Sequence, residues 1–395
     1  MKISSTLALI SESTTLAITA RAAKLRSEGR DVISLSAGEP DFQTPEIPSQ
    51  GGIRAIKTGK TKYTAAAGLP LLRAAVARSL ARDFGMKYSR EEICITAGTK
   101  PAIHLSLLSL LEKGDRVIVM APYWVSYPDL VRLAGGVPLL LQGHEEDDFL
   151  PDEAEIAKLF EEGASGIILN SPCNPTGTVW PRERIASLVQ LCEKHDAWIL
   201  SDEIYGQILY DDAEHVSPAQ LPGGRERTVV LNGFSKSFSM TGWRIGYLAA
   251  PENLTQSVIR AQSQMIGNPC TPSQHAALAA LSEDSQASRL EMVEAFAERR
   301  AYMLDAIPKL PGFTLRAPEG AFYLFPGVQG ALQKLGIDDV EFAKRLLDEA
   351  LLAVVPGSAF GLPGHLRVSF ASSIDDLQHA VERIESFLSA AGVSV

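Results

Sequence analysis

The sequence predicts an α/β fold, with helices on both faces of a mostly parallel, doubly wound sheet and a smaller α+β domain beside it. From Ile93 onward, short apolar runs alternate with amphipathic stretches, as in strands that are joined by crossover helices. Unusual polar residues follow several of those strands, at the edge where such sheets bind ligands. Residues 286–308 form one long helical pattern, rich in glutamate and arginine, which we expect to link the two domains.

The first ninety residues combine an arm with several short elements. Apolar residues at helical spacing before Gly29, a typical helix-ending residue, predict the first helix. The predicted elements are a polar arm over 1–12, a helix over 16–29, a strand over 32–35, helices near 53–58 and over 71–84, and a loop of small residues over 59–68.

The central part of the chain contains seven short apolar runs that predict buried strands. These runs cover 93–96, 117–120, 137–141, 166–169, 198–200, 229–231 and 245–249. Helices are predicted over 101–111, from Trp124 to 134, and over 185–195, and the first of them is expected to begin at Pro101 because the missing N–H of proline does no harm there.

The C-terminal part has shorter elements that predict the smaller domain. Strands are predicted over 321–325, 353–355 and 366–370, and helices over 340–350 and 374–388. We therefore assign the chain to an N-terminal arm (1–12), a small domain (13–42 and 290–395) and a large domain (43–289).

The charge and the cysteines limit the possible functions. The formal net charge is −10, which argues against nonspecific binding to nucleic acids or to anionic membranes. No apolar run approaches the roughly 18 residues that span a bilayer, and Glu12 interrupts any signal-peptide core. The four cysteines are far apart and show no C-x-x-C spacing, so neither a zinc site nor a disulfide framework is indicated and a cytoplasmic location is expected.

The stretch from Asn232 to Gly246 carries the strongest chemical signal. A buried strand leads to a glycine and small polar residues, and Lys236 follows in apolar and small surroundings. A lone lysine is usually an ordinary surface residue, but a buried ammonium is costly unless it is paired or converted. Conversion to an imine removes the cost, and enzymes that use pyridoxal 5'-phosphate (PLP) are the commonest users of this device. Arg244 would supply a fixed positive fork for a phosphate.

Four other strand ends carry residues that suit the same cofactor. Each has a plainer interpretation: Asp202 as a helix cap, Asn174 as a turn residue, Trp124 as core, and the turn at Gly98 as an ordinary loop. Together they supply an acid for a pyridine nitrogen, a donor for a phenolate oxygen, a ring for stacking and a helix start for a phosphate. The joint arrangement at the strand ends favours a PLP site.

The chain resembles the class I/II aminotransferases, a family of fold-type I PLP enzymes, and within it the bacterial aspartate aminotransferase branch. The motifs that carry the resemblance are SAGEPD at 36–41, GKTKY at 59–63, PYWVSYP at 122–128, NPTG at 174–177, SDEIY at 201–205, SK at 235–236 with RIG at 244–246, and LRVS at 366–369. They span almost the whole chain in the family's order. The resemblance implies a seven-stranded sheet in the large domain and a homodimer with active sites at the subunit interface.

The resemblance also implies a role for each site residue. Lys236 would form the imine and carry the proton, and Asp202 would pair with the pyridine nitrogen. The remaining cofactor contacts would be Asn174 and Tyr205 at the phenolate oxygen, Trp124 against the ring, and Gly98, Thr99, Ser235 and Arg244 at the phosphate, with Tyr63 reaching in from the other subunit.

For the substrate, the resemblance implies that Arg367 binds the α-carboxylate, with Gly38 donating from its backbone. Trp124 and Asn174 would also contact the substrate, and Lys100 would meet the distal carboxylate of an acidic amino acid. The chain departs from many relatives at Gly233, where a serine often contacts the phosphate, and at Cys173. The sequence shows no clear counterpart of the second arginine that the animal-type aspartate enzymes use for the side-chain carboxylate.

The predicted function is amino-group transfer between an amino acid, aspartate or glutamate in the first place, and a 2-oxo acid such as 2-oxoglutarate or oxaloacetate. Broader specificity for aromatic amino acids or prephenate stays open, as does a carbon–sulfur lyase of the same fold. A third alternative is the aminotransferase-like module of a transcription regulator. It is disfavoured because only a short arm precedes Gly38 and the net charge is negative.

Overall fold

A seven-stranded sheet forms the centre of the computed structural model, which describes residues 4–8, 10 and 14–393. The strands in chain order are β1 (Ile33–Ser34), β2 (Ile93–Thr96), β3 (Arg116–Ala121), β4 (Val137–Gln142), β5 (Ala164–Asn170), β6 (Trp198–Asp202), β7 (Thr228–Gly233), β8 (Gly246–Ala249), β9 (Tyr323–Leu324), β10 (Leu352–Ala353), β11 (Val355–Pro356) and β12 (Leu366–Ser369). The order in the sheet is β2-β8-β7-β6-β5-β3-β4. In this sheet β8 runs in the direction opposite to the other six strands, so the predicted mostly parallel sheet is confirmed.

Helices pack on both faces of this sheet. The described residues form α1 (Ser5–Ala8), α2 (Thr14–Ser27), α3 (Glu46–Lys57), α4 (Pro70–Phe84), α5 (Thr99–Leu110), α6 (Tyr127–Leu133), α7 (Glu153–Glu161), α8 (Arg182–Lys194), α9 (Glu252–Met265), α10 (Thr271–Ala280), α11 (Gln286–Ala306), α12 (Gln329–Leu335), α13 (Asp339–Glu349) and α14 (Ile374–Ala390). The long helix predicted over 286–308 corresponds to α11, and the final predicted helix to α14.

Burial on both faces follows directly from the sequence of the central strands. In β5, Ile167 and Leu169 enter one hydrophobic cluster, whereas Ile168 enters another on the opposite face. Successive side chains of a strand point to opposite faces, so a strand that is covered on both sides must be apolar throughout. This explains why the predicted strands were continuous apolar runs rather than alternating patterns.

Some predicted boundaries were wrong. The helix expected to start at Pro101 begins at Thr99, with Gly98 as its N-cap residue and Pro101 in third position. Proline is tolerated there because the first-turn N–H groups have no partner within the helix. The helix expected near 53–58 begins earlier, at Glu46.

The smaller elements differ most from the predictions. The strand expected over 321–325 shrinks to β9, because Ala321 has a left-handed backbone with φ of 59° that cannot continue a strand. The run at 353–355 divides between β10 and β11, and the strand at 32–35 shrinks to β1. The expected arm over 1–12 contains α1, while residues 1–3, 9, 11 and 12 lie outside the described residues.

A second assembly of strands involves both ends of the chain. Strands β9, β11 and β12 form an antiparallel sheet in the order β11-β12-β9, and β1 pairs in parallel with β10. The N-terminal segment around Ile33 therefore packs with the C-terminal part. The exact division into an arm, a small domain and a large domain stays a prediction.

Three strand ends converge at one edge of the central sheet. Asn170 at the end of β5 lies in register with Asp202 at the end of β6, and β7 ends at Gly233, three residues before Lys236. None of the described helices is both long and apolar enough to cross a membrane.

Candidate active site

A pocket of about 400 Å³ opens at this edge of the sheet. Eleven of the thirteen predicted site residues line it, all except Gly98 and Tyr63. These residues lie at or just after the ends of six strands, β1, β2, β3, β5, β6 and β7, or within β12, so their assembly depends on the tertiary fold. Sequence reasoning therefore identified most of the pocket before any contact was known.

Lys236 lies deep in the pocket, where its amino group donates a hydrogen bond to the carbonyl oxygen of Gly38. Burial lowers the pKa of Lys236 to about 8, and the nearby Glu39 carboxylate partly opposes this change. At pH 7 roughly a tenth of the Lys236 side chains therefore carries a neutral amine, far more than for an ordinary lysine. A neutral amine is the form that attacks a carbonyl carbon.

Asp202 is 4% exposed and ends β6. Its Oδ2 accepts a hydrogen bond of 2.8 Å from the Tyr127 hydroxyl, and its Oδ1 accepts one of 3.3 Å from the Ile204 N–H. Burial raises the pKa of Asp202 to about 6, and the Tyr127 hydrogen bond opposes this rise. A buried carboxylate of this kind would be stabilised by a cation that binds in the pocket.

Arg367 is 2% exposed and also lines the pocket. Its Nη1 donates to Asn174 Oδ1 at 3.0 Å and its Nη2 donates to the Ser36 carbonyl oxygen at 2.6 Å. Its guanidinium carbon lies 4.6 Å from the centre of the Tyr323 ring. Within the described residues, the buried Nε of Arg367 has no hydrogen-bond partner. An incoming carboxylate would satisfy this donor, because arginine and carboxylate form paired hydrogen bonds.

The cationic corner of the pocket lies where α5 begins. Gly98 caps the helix with φ of 98° and ψ of 168°, and a Cβ placed on it would lie 2.6 Å from Arg244 Nη2. Arg244 is therefore against the start of the helix, whose free N–H groups attract anions. Thr99 and Ser235 line the same corner.

The backbone around Gly233 accounts for the absence of the serine that many relatives have at this position. A Cβ at Gly233 would lie 3.1 Å from both the Gly246 Cα and Thr99 Oγ1, so the backbone leaves little room for a side chain. Ser235 is mostly buried and lines the pocket two residues later. Its hydroxyl is therefore the one that this segment offers to the pocket.

Lys100 and Trp124 form the outer wall. The Lys100 amino group lies 4.7 Å from the centre of the Trp124 ring, and partial burial, with a smaller effect of Arg244, lowers the pKa of Lys100. The Trp124 ring also packs edge-on against Tyr127. Tyr63, in contrast, is 96% exposed and does not line the pocket of its own chain.

Comparison with known proteins identifies the family. A family model described as aminotransferase class I and II matches residues 30–384. The chain belongs to this family. It is 43% identical to the aspartate aminotransferase of Geobacillus stearothermophilus over 99% of this chain and 100% of that protein. It is 41% identical to the aspartate/prephenate aminotransferase of Thermus thermophilus over 96% of this chain and 97% of that protein.

Solved structures agree with this assignment. The aspartate aminotransferase from Thermus thermophilus with maleate superimposes with a TM-score of 0.93 at 39% identity, covering 98% of this chain and 99% of that one. The predicted fold-type I architecture and the predicted PLP-dependent aminotransferase are thereby confirmed. The roles of individual residues stay predictions.

The residues of this aminotransferase fit PLP. The cofactor carries a phosphate, a phenolate oxygen, a pyridine nitrogen and an aldehyde. The pocket offers a cationic corner at Arg244, a buried carboxylate at Asp202 and an amine of lowered pKa at Lys236. The carboxylate that burial leaves uncompensated is the clearest sign, since it calls for a positively charged partner.

Sequence reasoning missed several residues of the pocket. Tyr127 holds Asp202, and Asn170 donates to the Asp202 carbonyl oxygen at 2.9 Å while accepting from the Asn174 N–H at 2.8 Å. Both lie beside residues that were predicted, at a strand end and in the PYWVSYP motif, so their positions were available signals. Tyr323 also lines the pocket, but it lies in a short apolar run that predicted only a strand.

Proposed function

We propose that this aminotransferase transfers the amino group of aspartate or glutamate to a 2-oxo acid such as 2-oxoglutarate or oxaloacetate. The observation that carries the proposal is the presence of two separate cations on the pocket walls. Arg367 is buried with an unsatisfied N–H, and Lys100 lies on Trp124 without an anionic partner among the described residues. A dicarboxylate substrate brings one anion for each. The names of the relatives agree with this substrate class.

The cofactor contacts follow from the chemistry of the donors. PLP, when bound, supplies an aldehyde that captures amino groups and a ring that accepts electrons. Lys236 would hold it covalently and carry the proton, and Asp202 would keep the pyridine nitrogen protonated. Asn174 and Tyr205 would donate to the phenolate oxygen, and Trp124 would cover the ring. Gly98, Thr99, Ser235 and Arg244 would bind the phosphate.

The proton transfer depends on the state of Lys236. Its lowered pKa of about 8 lies close to neutral pH, where a residue that alternately accepts and donates a proton works best. Gly38 accepts a hydrogen bond from this amino group, so the backbone at 38 holds the lysine near the carboxylate-binding side of the pocket. Gly38 would in turn donate from its N–H to the α-carboxylate.

A broader substrate range is the second candidate. The Lys100 side chain is partly exposed and contacts an aromatic ring rather than a fixed carboxylate, so we expect it to swing aside for an apolar side chain. Some relatives are named aspartate/prephenate aminotransferase. We therefore propose that aromatic amino acids or prephenate are used more slowly than acidic ones.

A two-step absorption experiment tests the proposed function. The purified protein with PLP should show an imine band that disappears on adding aspartate and returns on adding 2-oxoglutarate. A carbon–sulfur lyase would recover the band without any added oxo acid. The Lys236→Ala variant should fold but lose activity by at least roughly 10²–10⁴-fold, whereas Lys113→Ala, at an exposed lysine outside the pocket, should behave as wild type. A wild-type band that ignores aspartate would refute the proposal.

A further inference from the structure

Tyr323 is a fully buried tyrosine at the junction between the cofactor side and the carboxylate side of the pocket. Its hydroxyl oxygen lies 2.8 Å from that of Tyr205, with the two rings packed edge to face at 5.7 Å. The hydroxyl also lies against Gly38, because a Cβ placed on Gly38 would be only 2.7 Å from it. No role was expected for this residue from the sequence.

The direction of the hydrogen bond between the two tyrosines follows from proton counting. A tyrosine hydroxyl has a single proton to donate but can also accept. If Tyr205 donates its proton to the cofactor, its oxygen can only accept from Tyr323. Tyr323 must then be the donor of the 2.8 Å bond, and its proton fixes the orientation of the Tyr205 hydroxyl.

The ring of Tyr323 serves the other half of the pocket. The Arg367 guanidinium lies 4.6 Å from the Tyr323 ring centre and 5.0 Å from that of Phe360. Both rings lie within cation–π distance of the guanidinium, while the side-chain oxygen of Asn174 and the carbonyl oxygen of Ser36 bind its two terminal nitrogens. A guanidinium that is fixed in this way loses little entropy when it binds a planar carboxylate.

We propose that Tyr323 is a positioning residue that serves both halves of the site: its hydroxyl orients the proton of Tyr205, and its ring sets the plane of Arg367. The proposal rests on the proposed function, in which Tyr205 contacts the cofactor and Arg367 the α-carboxylate. Burial raises the pKa of both tyrosines, which keeps both hydroxyls protonated at neutral pH. Both therefore remain available as donors over the working range.

Two substitutions separate the two roles of Tyr323. Tyr323→Phe removes the hydroxyl but keeps the ring under Arg367, whereas Tyr323→Leu removes both. In the holoenzyme, Tyr323→Phe should raise the pH midpoint of the visible absorption change by about half to one unit, the equivalent of one neutral hydrogen bond. The hydrogen bond from Tyr323 orients the Tyr205 hydroxyl toward the phenolate oxygen of the cofactor and so favours the deprotonated form of the cofactor. Without this hydrogen bond the cofactor is protonated more easily, and the midpoint lies at a higher pH.

Binding of succinate, a dicarboxylate that cannot react, reports the second role. Calorimetry should show a Kd for Tyr323→Phe within about twofold of wild type, since the stacking is intact. The Kd for Tyr323→Leu should rise roughly 3- to 30-fold, the range expected for a lost cation–π contact. If Tyr323→Phe binds succinate as wild type does and Tyr323→Leu binds it more weakly, the ring of Tyr323 and not its hydroxyl supports Arg367.

Two controls keep the inference falsifiable. Tyr210→Phe removes another buried hydroxyl, which donates to the Ala321 carbonyl oxygen outside the pocket, and should leave the absorption midpoint and the succinate Kd unchanged. Tyr205→Phe with Tyr323→Phe should shift the midpoint no further than Tyr205→Phe alone, because Tyr323 acts through Tyr205.

The outcomes distinguish this inference from the proposed function. If the wild-type band does not respond to aspartate, the proposed function fails. If the wild type responds normally but Tyr323→Phe keeps its midpoint within about 0.2 units, or if the shifts of the double variant are additive, the orienting role of Tyr323 is wrong. Unchanged succinate binding by a folded Tyr323→Leu would refute the stacking role.

Discussion

Lys236 and Asp202 are two ionisable groups that the fold places in surroundings unfavourable to both charges. Burial lowers the pKa of Lys236 to about 8 and raises that of Asp202 to about 6. Each change weakens the folded protein at neutral pH, because the charged forms would be better solvated in the unfolded chain. The pocket therefore gives up stability to keep two reactive groups ready for a ligand.

The pH dependence of stability makes this cost measurable at Asp202. The carboxyl takes up its proton near pH 6 in the folded protein but near 3.8 in the unfolded chain. Between these pH values the folded protein binds more protons than the unfolded chain does. The contribution of the Asp202 carboxyl to the stability of the fold is therefore complete below about pH 4 and is lost as the pH rises through 6. Asp202→Asn removes this loss and should stabilise the cofactor-free protein at pH 8 by on the order of 2–3 kcal/mol.

Urea unfolding of the cofactor-free wild type and variant at pH 5 and pH 8 measures this effect. The advantage of Asp202→Asn should shrink by on the order of 1 kcal/mol at pH 5, where the native carboxyl is mostly protonated. The same substitution should lower the transamination rate by at least about 100-fold, because an amide does not hold a pyridinium. An equal stability difference at both pH values, or a rate within about threefold of wild type, would contradict the assignment.

We predict that Lys100 determines whether the preferred substrates are acidic. Lys100→Ala should lower kcat/KM for aspartate by roughly 2–4 kcal/mol of transition-state stabilisation, the range for removing a charge partner. Phenylalanine, which brings no second carboxylate, should be nearly unaffected. The measurement is kcat/KM for both substrates in wild type and variant, and an equal loss on both would mean that Lys100 serves the cofactor instead.

Site residues were predictable where the residue type and its position in the sequence or in a family motif sufficed, without any knowledge of tertiary contacts. Lys236 was identified from its apolar surroundings and Asp202 from its place at a strand end, whereas Arg367 was assigned only through the resemblance to the family. Tyr323 was not predictable, because a tyrosine in the apolar run at 321–325 is ordinary core until its hydroxyl is known to meet Tyr205. Its role depends on a contact between residues 118 positions apart.

At the scale of the element, strands and helix starts were predicted unequally well. The central strands are buried on both faces, so their apolar runs predicted the ends of these strands to within two residues. The start of α5 was missed by two residues, because Gly98, not Pro101, sets it. Gly98 has φ of 98° and ψ of 168°, a backbone conformation that other residues rarely adopt. The local sequence pattern does not predict this conformation.

This backbone requirement leads to a prediction for Gly98→Ala. The substitution should lower the unfolding free energy by roughly 1–3 kcal/mol through backbone strain. It should also raise the Kd for PLP by about tenfold or more, since the new methyl group displaces Arg244. Gly85, with φ of 66° and nothing within 4 Å of a Cβ, is the matched control: Gly85→Ala should lose about 1 kcal/mol of stability and bind PLP as wild type. Equal PLP affinity in the Gly98→Ala and Gly85→Ala variants would contradict a role of Gly98 in binding the phosphate.

At the scale of the whole molecule, the sequence predicted the class of fold but not its pairings. Strand β2 lies next to β8, and β1 next to β10, although about 150 and more than 300 residues separate the partners. Such pairings depend on how helices fill the two faces of the sheet and not on any local signal. The convergence of the site at one edge was predictable only because parallel strands share the direction of their ends.

The loop around Tyr63 extends this argument beyond a single chain. The loop is fixed on its own subunit: Thr271 donates to the Lys62 carbonyl oxygen at 2.7 Å, and Gln274 donates to Thr64 Oγ1 at 3.1 Å. It nevertheless presents Tyr63 with 96% of its surface exposed. A held loop with an exposed aromatic side chain is explained if a second copy of the chain covers it. We therefore predict a symmetric dimer in which Tyr63 completes the phosphate site of the partner.

Mixing two impaired variants tests this dimer directly. In a dimer of one Lys236→Ala chain and one Tyr63→Ala chain, the site that keeps Lys236 receives Tyr63 from the other chain and is intact. Random re-association should therefore restore up to roughly a quarter of the wild-type activity at limiting PLP, above the sum of the separate variants. If Tyr63 served its own chain, no intact site would form and mixing would restore nothing. Sedimentation should show twice the 42.6 kDa chain mass, and an active species of single mass would rule out the shared site.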